Sequence, residues 1–253
     1  DAQKPDRANK RVEIPTTLLE ILIAEKKAKL SGGIYHKVQI ELTYNSNHIE
    51  GSRLTHDQTR YIFETNTIGI DGGTVKVDDI VETANHFKCI DLIIENAKKP
   101  ITENFIKELH RTLKSGTTDA RQDWFAVGDY KKLPNTVGDM FTTQPEEVAQ
   151  KMKELLFEYN AKKEKTFDDL WDFHYRFERI HPFQDGNGRI GRLLLFKECL
   201  KYNIVPFIID EEQKLFYYRG LKEWQSERGY LRDTCLMAQD KFKLYLDYFK
   251  VQY

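Results

Sequence analysis

Apolar residues recur at helical spacing along most of the chain. In Thr16–Leu30, Leu18, Leu19, Leu22, Ile23 and Leu30 fall on one face. Pro15 suits the start of that helix, and Ser31-Gly32-Gly33 its end. Ile34–Glu50 carries Val38, Leu42 and Ile49 on one side and stops at Gly51. Thr55-His56-Asp57-Gln58 reads as a capping box that opens a short helix to Glu64. After a loop broken by Asp71-Gly72-Gly73, Val77–Ala97 is a long helix with Ile80, Val81, Ala84, Phe87, Ile90 and Ile94 inward. Ile101–Leu113 follows, with Phe105, Ile106 and Leu109 inward. His86 and His110 lie on or near these faces and read as core or surface histidines.

The period is lost over residues 115–145, where glycines and prolines punctuate the chain. Trp124-Phe125-Ala126-Val127 and Thr136-Val137 predict short strands within a hairpin or flap, and a loop of this length in a compact domain is usually functional. Helical spacing returns in Glu146–Asn160. Thr166-Phe167-Asp168-Asp169 is a second capping box, and it opens a helix that runs to Ile180. Ile190–Tyr202 is the next helix. Ile204–Ile209 predicts a short extended piece, Asp210 and Gln213 cap a helix through Trp224 that Gly229 breaks, and Tyr230–Tyr248 is the last helix. The pattern therefore predicts a mainly α fold, a helical bundle with a small β-hairpin flap.

Composition narrows the function. Lys plus Arg is 39 and Asp plus Glu is 40, a balance that argues against a nucleic-acid or anionic-membrane partner. Cys89, Cys199 and Cys235 are widely spaced among apolar neighbours, with no zinc or redox pattern, as expected of reduced thiols in a cytoplasmic protein. The charged stretch Asp1–Arg11 has no apolar core of a signal peptide, and no run approaches the ~18 apolar residues of a membrane span.

One stretch has a composition that packing does not require: His181-Pro182-Phe183-Gln184-Asp185-Gly186-Asn187-Gly188-Arg189, then Ile190-Gly191-Arg192. Pro182 ends the preceding helix and leaves His181 at its terminus. Gly186 and Gly188 let backbone N–H groups approach an anion, and Asn187 can add a side-chain donor. Asp185 offers a hard oxygen to Mg²⁺. Arg189 and Arg192, three apart, project from one helical face as phosphate clamps. His181, neutral near pH 7, can accept a proton from a hydroxyl. Elsewhere, Glu50 places a negative charge at a helix C-terminus, against the dipole. Either it is a tolerated solvated charge or it has a cationic partner elsewhere in the fold.

His181–Arg189 resembles, without a gap, the signature His-Pro-Phe-x-(Asp/Glu)-Gly-Asn-Gly-Arg of the Fic (filamentation induced by cAMP) family, and Arg192 matches the second arginine of its longer form. The resemblance implies a helical region at 1–79, a Fic core at 80–225 and a C-terminal helix at 226–253 packed on that core. It implies transfer of AMP from ATP to a Ser, Thr or Tyr hydroxyl of a protein, the chain itself included, with release of pyrophosphate. His181 would be the base. Asp185 would hold Mg²⁺, Gly186, Asn187 and Gly188 would form the anion hole, and Arg189 and Arg192 would bind the β- and γ-phosphates. Asn135, Thr136, Val137 and Gly138 would form the flap strand that docks the target, although many relatives carry Gly-x-Tyr-Arg where this chain has Gly128-Asp129-Tyr130-Lys131. Tyr217 and Tyr218, with Gln225 where some relatives have Asn, would surround the adenine.

Ser46-x-x-x-Glu50-Gly51 is similar to the family's inhibitory motif, in which the glutamate pairs with the second arginine, here Arg192. The same residue implies an alternative activity, hydrolytic removal of AMP. A third reading is a peptide-binding module, whose sign would be a broken loop; this loop is intact. Gly188 stands where phosphotransferases of the Doc type carry Lys. Apolar surface on the terminal helices is compatible with a homodimer.

Overall fold

The computed structural model describes residues 16–253. The predicted N-terminal tail and the role of Pro15 lie outside that span. The helices are α1 (Leu18–Ala28), α2 (Ile34–Ile49), α3 (His56–Thr65), α4 (Val77–Glu95), α5 (Glu103–Lys114), α6 (Pro145–Ala161), α7 (Phe167–Ile180), α8 (Asn187–Lys201), α9 (Lys214–Glu223) and α10 (Gly229–Tyr248). Two short antiparallel strands, β1 (Thr136–Val137) and β2 (Met140–Phe141), form the hairpin, with Thr136 opposite Phe141 and Val137 opposite Met140.

Both predicted capping boxes are present. Thr55 accepts from the Gln58 N–H while Gln58 accepts from the Thr55 N–H. Thr166 and Asp169 do the same at the start of α7. Each such cap contributes about 1 kcal/mol and fixes the register of the helix it opens. For α7 that register decides where His181 emerges.

α8 is the axis of the fold. It is buried on every side, including Arg189, Arg192, Lys197 and Glu198. Around it a single apolar cluster joins Leu22 of α1, Val38 of α2, Ile90 of α4, Leu109 of α5, Met152 of α6, Phe177 of α7 and Phe242 of α10. A second cluster packs Trp171, Tyr217, Trp224 and Cys235 where α7, α9 and α10 meet α8. All three cysteines are free and buried.

Four expectations are corrected. Trp124–Val127 forms turns rather than a strand, because it has no partner to complete a ladder; Phe125 is instead buried against His110. Ile204–Ile209 likewise has no strand partner among the described residues, although Phe207 and Ile209 are buried. α8 begins at Asn187, three residues before the predicted start, so part of the glycine-rich stretch is its first turn. Gly229 does not break α9, which has already ended at Glu223; it is the first residue of α10.

Candidate functional site

The site is the junction of α7 and α8. His181 closes α7 in the left-handed conformation (φ 52°), its N–H donating to the Phe177 carbonyl at 2.9 Å. Five residues later Gly186 (φ 90°) turns the chain into α8 and caps it without a side chain. The first N–H groups of α8 are therefore open to an anion, at the positive end of the helix dipole.

The loop between is braced from inside. Asn187 was expected to donate to an anion. Its amide instead spans the loop, accepting from the Phe183 N–H and donating to the Phe183 carbonyl, both at 2.8 Å. Phe183 is fully buried and stacks on His110 with ring centroids 3.9 Å apart. His110 Nε2 donates to the Asp185 carbonyl at 2.9 Å, while the Gly128 N–H donates to His110 Nδ1 at 2.9 Å. These two bonds require the neutral Nε2–H form, and burial holds the His110 pKa down to about 4.

Asp185 is held from below by Lys114, a lysine only 1% exposed on α5. Its Nζ lies 2.7 Å from Asp185, 2.8 Å from Glu82 and 3.1 Å from Asp119. Arg189 joins the same cluster, pairing with Glu82 and, at 3.1 Å, with Asp185. Replacing Lys114 with methionine leaves three carboxylates with only Arg189, which reaches Glu82 and Asp185, to offset them. The expected loss is about 2–3 kcal/mol in urea unfolding, discounted because Asp119 and Asp185 are 40% and 51% exposed. An unchanged midpoint would show that the cluster does not need its lysine.

Arg192 faces the other way. Its Nε donates to Ser46 Oγ at 3.0 Å, and its Nη2 to the Ser46 carbonyl at 3.1 Å and to Glu50 Oε1 at 2.5 Å. The i, i+4 spacing of Ser46 and Glu50 puts both on the face of α2 that meets α8. Burial opposes the Arg192 charge, but Glu50 together with Tyr217 and Tyr218 outweighs it and holds the guanidinium above its ordinary range. Glu50 also leans over Gly188, where a Cβ would collide with its carboxylate. The acid at the end of α2 thus lies at the open N-terminus of α8, the position suited to an anionic ligand.

His181 is pushed down to about 4, first by burial and then by the charge of Lys131. Lys131 ties the flap to the loop. Its N–H donates to the Pro182 carbonyl at 2.8 Å, and its Nζ donates to Asn135 and Thr142, both at 2.8 Å. Asn135 donates in turn to the Phe183 carbonyl at 3.0 Å. It anchors the hairpin, while Thr136 and Val137 form β1 and Gly138 (φ 55°) its turn.

Beside the loop lies a cleft of about 410 Å³ between the hairpin, α7 and α9. Val137, Met140, Tyr175, Glu178, Tyr218 and Leu221 line it. The predicted adenine residues separate here. Tyr218 faces the cleft. Tyr217 is buried under Arg192, its hydroxyl 2.5 Å from His174 Nε2. Gln225 is exposed in the turn after α9 and is not part of the cleft wall.

Residues 100–198 match the model of the Fic/DOC family. This segment is a Fic/DOC family domain. Over 226 residues the chain is 27% identical to the Protein adenylyltransferase Fic of Aedes aegypti, covering 88% of this chain and 43% of that protein. Its counterpart in Drosophila melanogaster is 31% identical over 183 residues, 71% of this chain and 36% of that one. The chain thus spans less than half the length of these curated relatives. A Fic domain-containing signaling protein of Bacteroides thetaiotaomicron superposes with a TM-score of 0.71 at 27% identity, covering 90% of this chain and 94% of that one. Fic-1 of C. elegans, at 20% identity and a TM-score of 0.70, shares the fold. The matched Fic/DOC segment holds α5, the hairpin, α6, α7 and most of α8, while Ser46, Glu50, Tyr217 and Tyr218 reach the site from outside it.

The Fic/DOC loop was legible in the sequence. Lys114, Glu82, Lys131 and Glu178 were not assigned roles, and His110 was read only as a core or surface residue. A signal existed for two of them: His110 and Lys114 follow Ile106 at successive i, i+4 steps, polar groups on an otherwise buried stripe.

Buried histidines give the stability a pH dependence. Burial holds His86 and His174 near 3 and His110 and His181 near 4. As pH falls below about 6.5 the unfolded chain gains protons that the folded one refuses, so each histidine removes up to about 1.4 kcal/mol per pH unit. Glu178, raised to about 8 by burial, acts oppositely: its contribution is full below about 4.5 and lost as pH rises through 8. Four outweigh one. The melting temperature is expected to drop steeply from pH 6.5 to 4.5, and a flat profile would contradict the buried neutral histidines.

Proposed function

We propose that this chain transfers the adenylyl group of ATP to a hydroxyl side chain of a protein, and that Glu50 restrains the transfer. The observation that carries the reading is a half-buried, uncharged His181 at the end of α7 beside the open N-terminus of α8, with Asp185 between them. The hydroxyl oxygen would bond to the α-phosphorus as the bond from that phosphorus to the bridging oxygen breaks. Pyrophosphate leaves, and the hydroxyl proton passes to His181. The negative charge of a bound triphosphate would raise the basicity of His181 from its ligand-free value. The N–H groups at the start of α8 would receive phosphate oxygens, and Arg192, freed from Glu50, would take the terminal phosphate.

Asp185 fits Mg²⁺. Lys114 and Arg189 hold its Oδ2, while its Oδ1 has no partner among the described residues. Asp185 would supply one carboxylate to an ion that also takes phosphate oxygens and water. When bound, Mg²⁺ would neutralise phosphate charge during transfer. The edge of β1 would receive the target as an added strand. Self-modification belongs to the same reading, because a hydroxyl of a second copy can reach the site as a target does.

ATP labelled at the α-phosphorus is expected to label protein, whereas ATP labelled at the γ-phosphorus is expected to release all its label as pyrophosphate. Protein labelling from the γ-position alone would make this a kinase-like phosphotransferase. The position of Glu50 over Gly188 favours a second activity, removal of AMP with Glu50 orienting water. Incubation with an adenylylated protein separates the two, since Glu50→Gly would lose removal while gaining transfer.

A further inference from the structure

Lys131 is a buried cation without a counter-ion among the described residues. It lies in the segment between α5 and β1 and is only 3% exposed; burial alone pulls its ammonium down to about 8, with no carboxylate contributing. Its bonds all go to neutral oxygens. Nζ donates at 2.8 Å to Asn135 Oδ1, immediately before β1, and at 2.8 Å to Thr142 Oγ1, immediately after β2. It also reaches the Ile180 carbonyl at 3.5 Å, and the Lys131 backbone N–H donates to the Pro182 carbonyl at 2.8 Å. One residue therefore closes the base of the hairpin and grips the chain on both sides of His181. Gln184 adds a second tie, its amide accepting from the Leu133 N–H at 3.2 Å and donating to the Leu133 carbonyl at 3.3 Å. Bracing alone does not call for a charge. An ion buried against neutral acceptors carries a desolvation cost that a neutral donor would not, and a desolvated cation in a site points to a use for its charge.

We propose that Lys131 is a positioning residue for adenylyl transfer: it clamps the base of the hairpin to the turn that carries His181, so that a hydroxyl delivered along β1 meets the ring in one register, beside a fixed positive charge. This rests on the reading that His181 is the base and that the edge of β1 receives the target. The clamp matters because a misplacement of about 1 Å between reacting groups can cost on the order of 10²-fold in rate. The charge has a separate effect. A cation beside an imidazole disfavours its protonation, so Lys131 holds His181 in the form that can accept the hydroxyl proton. The charges that bear on His181 are Lys131, which opposes its protonation, and Glu50 of α2 and Asp185 of the loop, which favour it. A bound triphosphate would act with the two carboxylates, and Lys131 offsets part of that combined field.

The test uses the Glu50→Gly protein, with self-labelling by ATP carrying its label at the α-phosphorus as the rate and calorimetry as the measure of ATP affinity. Lys131→Met removes both clamp and charge. Its rate at saturating ATP is expected to fall roughly 10–100-fold, while its ATP affinity stays within about threefold. Lys131→Gln keeps a neutral donor and serves as the second variant should Lys131→Met fail to fold; its rate should fall less. The rate at saturating ATP declines at low pH as His181 takes up a proton, and this acid limb should move to higher pH in both neutral variants. Lys131→Arg, which keeps donors and charge, should leave the limb in place and recover most of the rate. A rate unchanged by Lys131→Met overturns the proposal, as does ATP affinity that falls as far as the rate. An acid limb unmoved in both neutral variants also overturns it and reduces Lys131 to a brace. Absence of labelling by the Glu50→Gly protein itself overturns the parent reading and this one with it.

Discussion

Replacing His181 with alanine is expected to slow adenylyl transfer by about 10²–10⁴-fold. The prediction rests on what His181 contributes and what it does not. Its backbone closes α7 in the left-handed region, a conformation that costs alanine about 1–2 kcal/mol but that the surrounding loop enforces. The loop itself is held by Asn187, by the stack of Phe183 on His110 and by Lys131, none of which uses the His181 ring. The variant should therefore fold and bind nucleotide with nearly unchanged affinity while losing the proton acceptor. Steady-state transfer and nucleotide binding, measured on the same preparation, check this. Loss of binding in parallel with rate would mean that His181 shapes the site rather than acting in it.

The second large effect has the opposite sign. Glu50→Gly is expected to raise transfer by about 10²-fold or more. In the structure Glu50 occupies Arg192 and lies over the start of α8, so on the proposed reading it would compete with phosphate at two points at once. A ligand shifts such an equilibrium only by its differential affinity for the two states, and moving it from 1:99 to 99:1 takes about 5.5 kcal/mol. The ion pair joins a buried guanidinium to a carboxylate that is 30% exposed, and two further bonds hold that guanidinium to Ser46 in the restrained state. Removing Glu50 also leaves a buried guanidinium short of its counter-ion, so the variant should melt lower than the parent without nucleotide. Bound Mg–ATP should recover more of that loss in Glu50→Gly than it adds to the parent. Equal stabilisation of both proteins by ATP would mean that Glu50 and the phosphates do not compete.

What could be read from the sequence divides along the range of the interactions. Helices whose caps lie within four residues, such as α3 from Thr55 and α7 from Thr166, were legible because the capping chemistry is local. The loop was legible because its histidine, carboxylate, glycines and arginines are contiguous. The meeting of Glu50 with Arg192, 142 residues apart, was accessible only through the resemblance of the motif around Ser46; the misplaced charge alone left two readings open. Contacts with neither local chemistry nor a motif were missed. Lys114 reaches Asp185 across 71 residues, and Glu178 comes to face the cleft only when Gly191 and the hairpin pack around it. The same reason explains why Trp124–Val127 misled. Its composition suits a strand, but strand formation depends on a partner that the fold does not supply, and Phe125 finds His110 instead.

The proposed restraint by Glu50 and the proposed action of the α7–α8 loop are tested together by one measurement: intact and peptide mass spectrometry of three proteins, parent, Glu50→Gly and Glu50→Gly/His181→Ala, each incubated with ATP, Mg²⁺ and a cell lysate. The expected result is a gain of one adenylyl group on Ser, Thr or Tyr of the enzyme or a lysate protein with Glu50→Gly, little with the parent, and none with the double variant. Absence of any nucleotide-derived mass with Glu50→Gly across all four nucleoside triphosphates, or equal labelling by the double variant, would contradict it.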